Sequence, residues 1–347
     1  MQLSSGSKVI GSEDCLYLNV YTPQVPSSEV SADHAWPIMF WLHPGAFVSG
    51  SASSADYGPE LLVAEGVIVV TVNYRLAAFG FLSLESAAAT GKYGLKDMLA
   101  ALRWVKRNGA VFGGNVEQIR LFGCSAGGAS VQHLQMAPAA QGLFHRAIAQ
   151  SGSALNPWAC ITDARSRAIA LARTLGASDS DLAHDHKILE FLRGQPAEAI
   201  ILAAGNAPPG PEQSAMTLNG VPLPTSEACL VPDDPLDEIF LPGSPRELMK
   251  HRVTDVPLMM GFCGVEGLLV DVVSQAASNR AVPDVFGNYD AHLDLALPLE
   301  LKKVYPDGSR KQRDALKLIR DTYFTGGAIS EATRNGFYNV RTNLILN

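Results

Sequence analysis

The chain has 347 residues, of which 47% are hydrophobic and 18% are charged, and its formal net charge at pH 7 is −7. This composition allows a large buried core and excludes a largely disordered chain. An acidic chain without a dense lysine and arginine cluster disfavours nucleic acid and anionic membrane surfaces as partners. The longest apolar stretch, residues 61–72, is interrupted by Glu65 and Gly66, so we expect no membrane span.

Short apolar runs alternate with amphipathic segments along the chain. The pattern predicts strands over residues 16–21, 37–43, 67–73, 118–123, 146–150 and 256–262. It predicts helices near residues 95–110, 126–137, 163–175, 187–193 and 196–204. This alternation favours an α/β fold with a mostly parallel sheet and helices on both faces. Residues 205–250 are rich in Pro and Gly and are predicted to be loop-like, and we expect a single domain over residues 1–347.

The second predicted strand leads into the sequence His43-Pro44-Gly45-Ala46-Phe47. A loop at this place can direct backbone N–H groups toward a developing oxyanion. Pro44 has no N–H to donate, whereas Gly45 and Ala46 each have one. The alternative is an ordinary turn at the end of a strand.

A G-x-S-x-G motif occupies residues 123–127, after the fourth predicted strand and before a predicted helix. In an α/β-hydrolase, this order of strand, tight turn and helix presents a nucleophilic serine. The motif alone also occurs by chance, but its context favours Ser125 as a nucleophile. The N–H of Ala126 would then join those of Gly45 and Ala46 in an oxyanion hole.

Several separate motifs resemble those of the type-B carboxylesterase/cholinesterase family. They lie at residues 11–21, 73–75, 79–82, 94–97, 101–105, 123–128, 144–148 and 150–153. Their order is that of the family, and the resemblance is closest to animal, insect-like carboxylesterases. It implies an α/β-hydrolase fold, incomplete at both termini, and an acyl-enzyme mechanism. Residues 205–250 would then form part of the wall of the active-site gorge.

The resemblance implies a Ser-Glu-His triad, with the acid in a Gly-x-x-x-x-Glu-Gly turn after a strand. Residues 261–267 fit this description and make Glu266 the expected acid, which would orient the histidine. Cys263 occupies a position where the family usually has asparagine. A solvated loop glutamate is the alternative, with Asp271 and the pair 233–234 as weaker rivals for the acid.

The histidine of the triad is harder to find. Hydrolases of this fold order the triad as serine, acid, histidine, and His292 is the only histidine after Glu266. It lacks the His-Gly pattern of the family and precedes residues 319–324, which resemble a helical region that the family places before its histidine. We retain His292 as a weak candidate for the base, with an exposed loop histidine as the alternative. The catalytic histidine itself is expected to be missing from this chain.

Six other histidines have simpler interpretations. We assign His43 to the oxyanion loop and His133 to the helix after Ser125. Four more are expected at the surface, namely His145, His184, His186 and His251.

The beginning of the chain also departs from the family pattern. The family has a long stretch before its Glu-Asp-Cys signature, with an arginine that pairs with the glutamate and a cysteine that bonds to the cysteine. The corresponding residues here are Glu13 and Cys15, only a few residues from the start. We therefore expect a truncated chain in which Glu13 is a buried carboxylate without its ion partner.

The five cysteines show no C-x-x-C spacing and predict neither a zinc site nor a complete disulfide framework. Cys124 replaces a glutamate that is common before the family's serine. The sequence has no signal peptide and no N-x-S/T glycosylation acceptor, which favours a cytoplasmic location, although many relatives are secreted.

Two classes of function fit these observations. The first is a serine carboxylesterase that acts on a small-molecule carboxylic ester and needs no metal or organic cofactor. The second is a non-catalytic, cholinesterase-like binding or adhesion protein, or an inactive fragment. The retained Ser125 favours the esterase. Trp158 either lines a substrate pocket or belongs to the core; the ester and the oligomeric state stay open.

Overall fold

The computed structural model describes residues 2–3, 8–24, 35–156, 158–161, 164–206, 240–250, 255–268, 290, 293, 305–333 and 335–336. The chain divides into two compact units. The first comprises residues 1–212 and 218–260, and the second comprises residues 213–217 and 261–347. The expectation of a single domain stays a prediction.

A six-stranded sheet forms the centre of the first unit. Its strands are β3 (Leu18–Tyr21), β4 (Trp36–Leu42), β5 (Ile68–Val72), β8 (Gly114–Cys124), β9 (Arg146–Gln150) and β10 (Leu258–Gly261). The strand order is β10-β9-β8-β4-β5-β3. The four strands from β9 to β5 pair in parallel, and β3 is antiparallel to β5 at one edge.

Two small antiparallel sheets accompany the large one. They are formed by β1 (Gln2–Leu3) with β2 (Val9–Ile10), and by β6 (Ser83–Ser86) with β7 (Ala89–Thr90).

Helices connect the strands of the first unit. They are α1 (Glu60–Ala64), α2 (Ala77–Phe81), α3 (Tyr93–Asn108), α4 (Ala126–Met136), α5 (Ala164–Thr174), α6 (Asp185–Arg193), α7 (Ala197–Asn206) and α8 (Pro245–Lys250). In the second unit the structure describes α9 (Arg310–Phe324). None of the helices in the described ranges combines the length and the hydropathy needed to cross a bilayer.

Local sequence accounts for these elements. All five residues of β5, Ile-Val-Val-Thr-Val, are buried, as is usual for a parallel strand covered on both faces. Helix α3 buries an apolar stripe with helical spacing that includes Leu95, Leu99 and Leu102. Ten of the eleven residues of α4 are buried, so this helix lies within the core and its polar side chains need internal partners.

The predicted α/β class is confirmed, and the predicted strands and longer helices are present with shifts of a few residues at their ends. Strand β8 begins at Gly114, four residues before the predicted start, because Gly114 pairs with Trp36 at the start of β4. The pairing of the two strands shifts register between Pro37 and Ile38. The short helices α1, α2 and α8 and the β6–β7 hairpin were not predicted. Of the segment 205–250, residues 207–239 lie outside the described residues.

The expectation for Glu13 is wrong in one respect. Its side chain is exposed and lines a cavity of about 350 Å³ together with Arg75 and Arg193. An exposed carboxylate avoids the desolvation penalty of a buried one. Cys15 is half-buried and forms no disulfide.

An ion pair attaches the segment after β5 to helix α3. The Arg75 guanidinium donates to both carboxylate oxygens of Asp97, from Nε at 2.8 Å and from Nη2 at 2.7 Å. The backbone N–H of Arg75 donates to the same carboxylate at 3.0 Å. This hydrogen bonding to Asp97 raises the pKa of Arg75. Because Asp97 is only 8% exposed, the pair fixes where the chain leaves the sheet.

We predict that Asp97→Ala lowers the free energy of unfolding by about 2 kcal/mol, less than a fully buried pair would lose because the Arg75 side chain is partly exposed. Glu117→Gln is the control, because it removes an exposed partner of Lys106 and should leave stability unchanged within error. Urea denaturation of both variants measures the difference. An equal change in the free energy of unfolding for the two variants would show that the Arg75–Asp97 pair stabilises the protein no more than an exposed ion pair does.

Candidate active site

Ser125 lies at the junction of β8 and α4, with a backbone φ of 53° and ψ of −118°. A positive φ is unfavourable for a residue with a side chain and costs about 1–3 kcal/mol. Two hydrogen bonds hold this conformation. The N–H of Ser125 donates to Gln150 O at 2.8 Å, and Ser125 O accepts from Ala129 N at 2.9 Å. The end of the neighbouring strand β9 thus fixes the turn that carries the serine.

Backbone packs directly against backbone around this turn. A Cβ on Gly123 would lie 2.5 Å from the carbonyl carbon of Gly127, and a Cβ on Gly127 would collide with the carbonyl oxygen of Leu42. A Cβ on Gly152 would collide with the carbonyl oxygen of Ser125. The close packing that the G-x-S-x-G motif predicts is therefore present, and Gly152, from the motif at residues 150–153, adds a further close contact.

The loop at the end of β4 is also strained. Its residues Gly45, Ala46 and Phe47 have φ values of 123°, 54° and 63°. The turn is closed by hydrogen bonds from the N–H groups of Val48 and Ser49 to Gly45 O, both at 2.9 Å. A Cβ on Gly45 would collide with Ser49 O, so this position needs glycine.

This loop and the serine turn begin at neighbouring strand ends. Leu42 of β4 pairs with Gly123 of the parallel strand β8, and the carboxyl ends of parallel strands are where α/β sheets bind ligands. In the described part of the chain, the N–H groups of Gly45 and Ala46 donate to no protein group. The N–H of Ala126, the first residue of α4, has no partner within its helix. These three N–H groups are those predicted for an oxyanion hole.

The histidine of this loop is a buried structural group. His43 is 1% exposed, its ring stacks on that of Tyr74 with centroids 4.2 Å apart, and its Nδ1 donates to Pro44 O at 2.7 Å. Burial lowers the pKa of His43 from 6.5 to about 4. The imidazole is therefore neutral near pH 7.

The histidine of helix α4 is buried as well. His133 Nε2 lies 3.2 Å from Ala159 O, and its Nδ1 has no hydrogen-bond partner among the described residues. Burial lowers the pKa of His133 to about 4, because protonation would place an unpaired charge in the core.

The other histidines among the described residues do not complete the site. His184 and His186 are exposed, as predicted. His145 is only half-buried rather than a surface residue, because its Nδ1 accepts from the N–H of Ile119 at 3.3 Å. Within the described residues, no histidine forms a hydrogen bond with the Ser125 hydroxyl. His34, His251 and the candidate base His292 lie outside the described residues.

The predicted acid lies in the second unit. Glu266 is half-buried, and its Oε1 accepts from the N–H of Cys263 at 2.7 Å. This bond closes a turn of the kind that the motif predicts, and Cys263 is exposed. The weaker rivals Asp271 and 233–234 lie outside the described residues.

Aromatic side chains pack behind the oxyanion loop. The Phe47 ring lies 5.1 Å from that of Phe81 and 6.2 Å from that of Trp158, measured between centroids. Trp158 is half-buried and packs against the main core, which supports the core interpretation for this residue. Cys124 is half-buried beside Ser125.

A sequence model described as the carboxylesterase family matches residues 1–346. The chain belongs to this family. The resemblance inferred from the separate motifs is thereby confirmed.

Named relatives agree with this assignment. Esterase E4 of Myzus persicae is 33% identical over 342 residues, which cover 96% of this chain and 56% of that protein. Juvenile hormone esterase of Tribolium castaneum is 33% identical over 343 residues, which cover 97% of this chain and 55% of that protein. The chain spans about half the length of these curated relatives.

A solved structure shows the same fold. It is juvenile hormone esterase from Manduca sexta with OTFP covalently attached, which is 29% identical and superposes with a TM-score of 0.74. The match covers 94% of this chain and 57% of that one. The parallel sheet and its surrounding helices are therefore those of the α/β-hydrolase fold.

We predict that Gly127→Ala lowers the free energy of unfolding by about 3 kcal/mol, because a Cβ there meets the backbone of Leu42 and neither chain segment can move away cheaply. Gly194→Ala is the matched control, since a Cβ there would lie 3.4 Å from its nearest neighbour, Phe191 O, and the φ of Gly194 is −78°. Thermal denaturation distinguishes the two. A stable Gly127→Ala protein would contradict the close packing.

The two buried imidazoles predict loss of stability in acid. The folded-state pKa of each imidazole is lowered from 6.5 to about 4. Between these two pH values the unfolded chain binds more protons than the folded chain, so the free energy of unfolding decreases as the pH decreases. We expect each to contribute a loss of about 2 kcal/mol between pH 7 and pH 5. Urea denaturation at the two pH values measures this loss. It should shrink in His133→Gln and stay unchanged in the exposed control His184→Gln.

Proposed function

We propose that this chain carries the nucleophile and the oxyanion hole of a carboxylic ester hydrolase. The observation that carries the proposal is the strained Ser125 beside a loop in which the N–H groups of Gly45 and Ala46 donate to no group among the described residues. Strain of this kind persists where the surrounding structure enforces it, and it is concentrated at functional sites. The family and its relatives support the same chemistry.

The reaction would proceed through an acyl-enzyme. The Ser125 oxygen attacks the ester carbonyl carbon, and the carbonyl oxygen becomes an oxyanion that accepts hydrogen bonds from the N–H groups of Gly45, Ala46 and Ala126. A histidine takes the serine proton and delivers it to the leaving alcohol, and water then hydrolyses the acyl-enzyme. Glu266 accepts the other imidazole N–H and stabilises the imidazolium. No metal or organic cofactor is required by these steps.

We infer that the general base for Ser125 lies outside the described residues. His43 and His133 are buried, neutral and bonded to backbone carbonyls, and a general base works best with a pKa near the working pH. His292 is the weak candidate that this chain offers, and the family's own catalytic histidine is expected to be missing from it. The substrate class is a small-molecule carboxylic ester.

Labelling with a fluorophosphonate probe tests the proposal, with circular dichroism to show that each variant is folded. If His292 serves as the base, the chain should label, Ser125→Ala should not, and the exposed control Ser178→Ala should label as the parent chain does. Glu266→Gln should slow ester hydrolysis by about 10³-fold or more, as expected when the orienting acid is lost. His292→Ala should abolish labelling if His292 is the base.

Each contrary result has a definite meaning. A folded chain that does not label would contradict esterase activity for this chain and favour the non-catalytic alternative. Labelling that survives Ser125→Ala would remove Ser125 as the nucleophile. Labelling that survives His292→Ala would assign the base to another histidine.

A further inference from the structure

The segment after β5 contacts the oxyanion loop at separate points. The hydroxyl of Tyr74 donates to His43 O at 3.0 Å, and the Tyr74 ring stacks on the His43 imidazole with an interplanar angle of 12°. Three residues later, the N–H of Ala77 donates to Phe47 O at 2.8 Å. These bonds hold His43 and Phe47, the first and the last residue of the sequence that contains the strained turn.

The same loop continues to Ala52, whose backbone is held by three side chains. The N–H of Ala52 donates to Asn73 Oδ1 at 2.7 Å. Its carbonyl oxygen accepts from Thr71 Oγ1 and from Asn19 Nδ2, both at 2.9 Å. Both backbone groups of Ala52 are thus used, by side chains from β3, from β5 and from the residue after β5.

The contact at His43 also reaches the serine turn. A Cβ on Gly127 would lie 3.0 Å from His43 O, so the carbonyl group that Tyr74 holds packs on the first turn of α4. Ala126, the source of the third predicted oxyanion donor, immediately precedes Gly127. The Tyr74 hydroxyl therefore acts where the two parts of the predicted oxyanion hole meet.

Tyr74 is suited to this task because it is only 2% exposed. Burial raises the pKa of its phenol, so the hydroxyl keeps its proton and remains a donor throughout the working pH range. In such an interior, removing the hydroxyl leaves the His43 carbonyl oxygen without this donor.

We propose that Tyr74 is a positioning residue for ester hydrolysis, which holds the loop 43–52 so that the N–H groups of Gly45 and Ala46 face the oxyanion. The inference rests on the proposed function. Tyr74 touches no reacting atom; it acts by keeping in place a backbone whose left-handed conformation is unfavourable.

The test compares Tyr74→Phe with Tyr17→Phe, which removes an exposed hydroxyl bonded to Asp14. Hydrolysis of p-nitrophenyl acetate should show kcat lowered about ten-fold in Tyr74→Phe, less than the loss of a whole oxyanion donor, with KM within about two-fold. Tyr17→Phe should match the parent chain. If Tyr74→Phe does not fold, Thr71→Val is used instead, because it removes the hydroxyl that holds the carbonyl oxygen of Ala52 at the other end of the same loop.

Backbone amide exchange separates this inference from the proposed function. Peptides covering residues 44–50 should exchange faster in Tyr74→Phe than in the parent, while peptides from β4 and β8 should not. If the parent neither labels nor turns over, the proposed function fails, and the role of Tyr74 in holding the loop is still judged by exchange. Unchanged kcat in an active folded variant, or unchanged exchange at residues 44–50, would overturn the positioning role.

Discussion

The contact of backbone with backbone where β8 turns into α4 is the constraint on which the rest of the site depends. Gly123 and Gly127 face each other there, and Gly127 also touches the carbonyl oxygen of Leu42. This contact brings helix α4 against the end of β4 as well as β8, so the serine turn and the oxyanion loop have a fixed separation. Because no flexible side chain intervenes, a change of a single methyl group alters the site.

Strain is distributed around this contact and is compensated from outside the site. Ser125, Ala46 and Phe47 all have positive φ values, each costing about 1–3 kcal/mol. Outside the site, the N–H of Ser125 is bonded to Gln150 at the end of β9, and Phe47 O accepts from Ala77 at the start of α2. The hydrophobic core beneath α3 and α4 holds those elements in place. Stability in the core thus maintains a conformation that the local sequence alone does not favour.

The sequence predicted the elements that depend on local pattern. Strand β5 and helix α3 follow directly from their apolar spacing, and Ser125 from its two glycines. Contacts between residues distant along the chain were not predictable. The proposed role of Tyr74 depends on its bond to His43, 31 positions away, which the resemblance of the motif 73–75 to the family does not reveal. The exposed Glu13 was misjudged for the same reason, since its burial depends on which segments cover it.

The two parts of the proposed site differ in how they are built. Backbone geometry within the first unit places the proposed nucleophile and oxyanion donors. Their positions are therefore determined by the glycines and the strand ends around them. A base must instead carry a side chain with a pKa near neutrality, and the imidazoles buried in that unit are neutral groups with a pKa of about 4. A serine without such a base keeps its proton and stays a weak nucleophile. The position of a histidine outside the described residues, rather than the serine turn, therefore decides between an esterase and a binding protein.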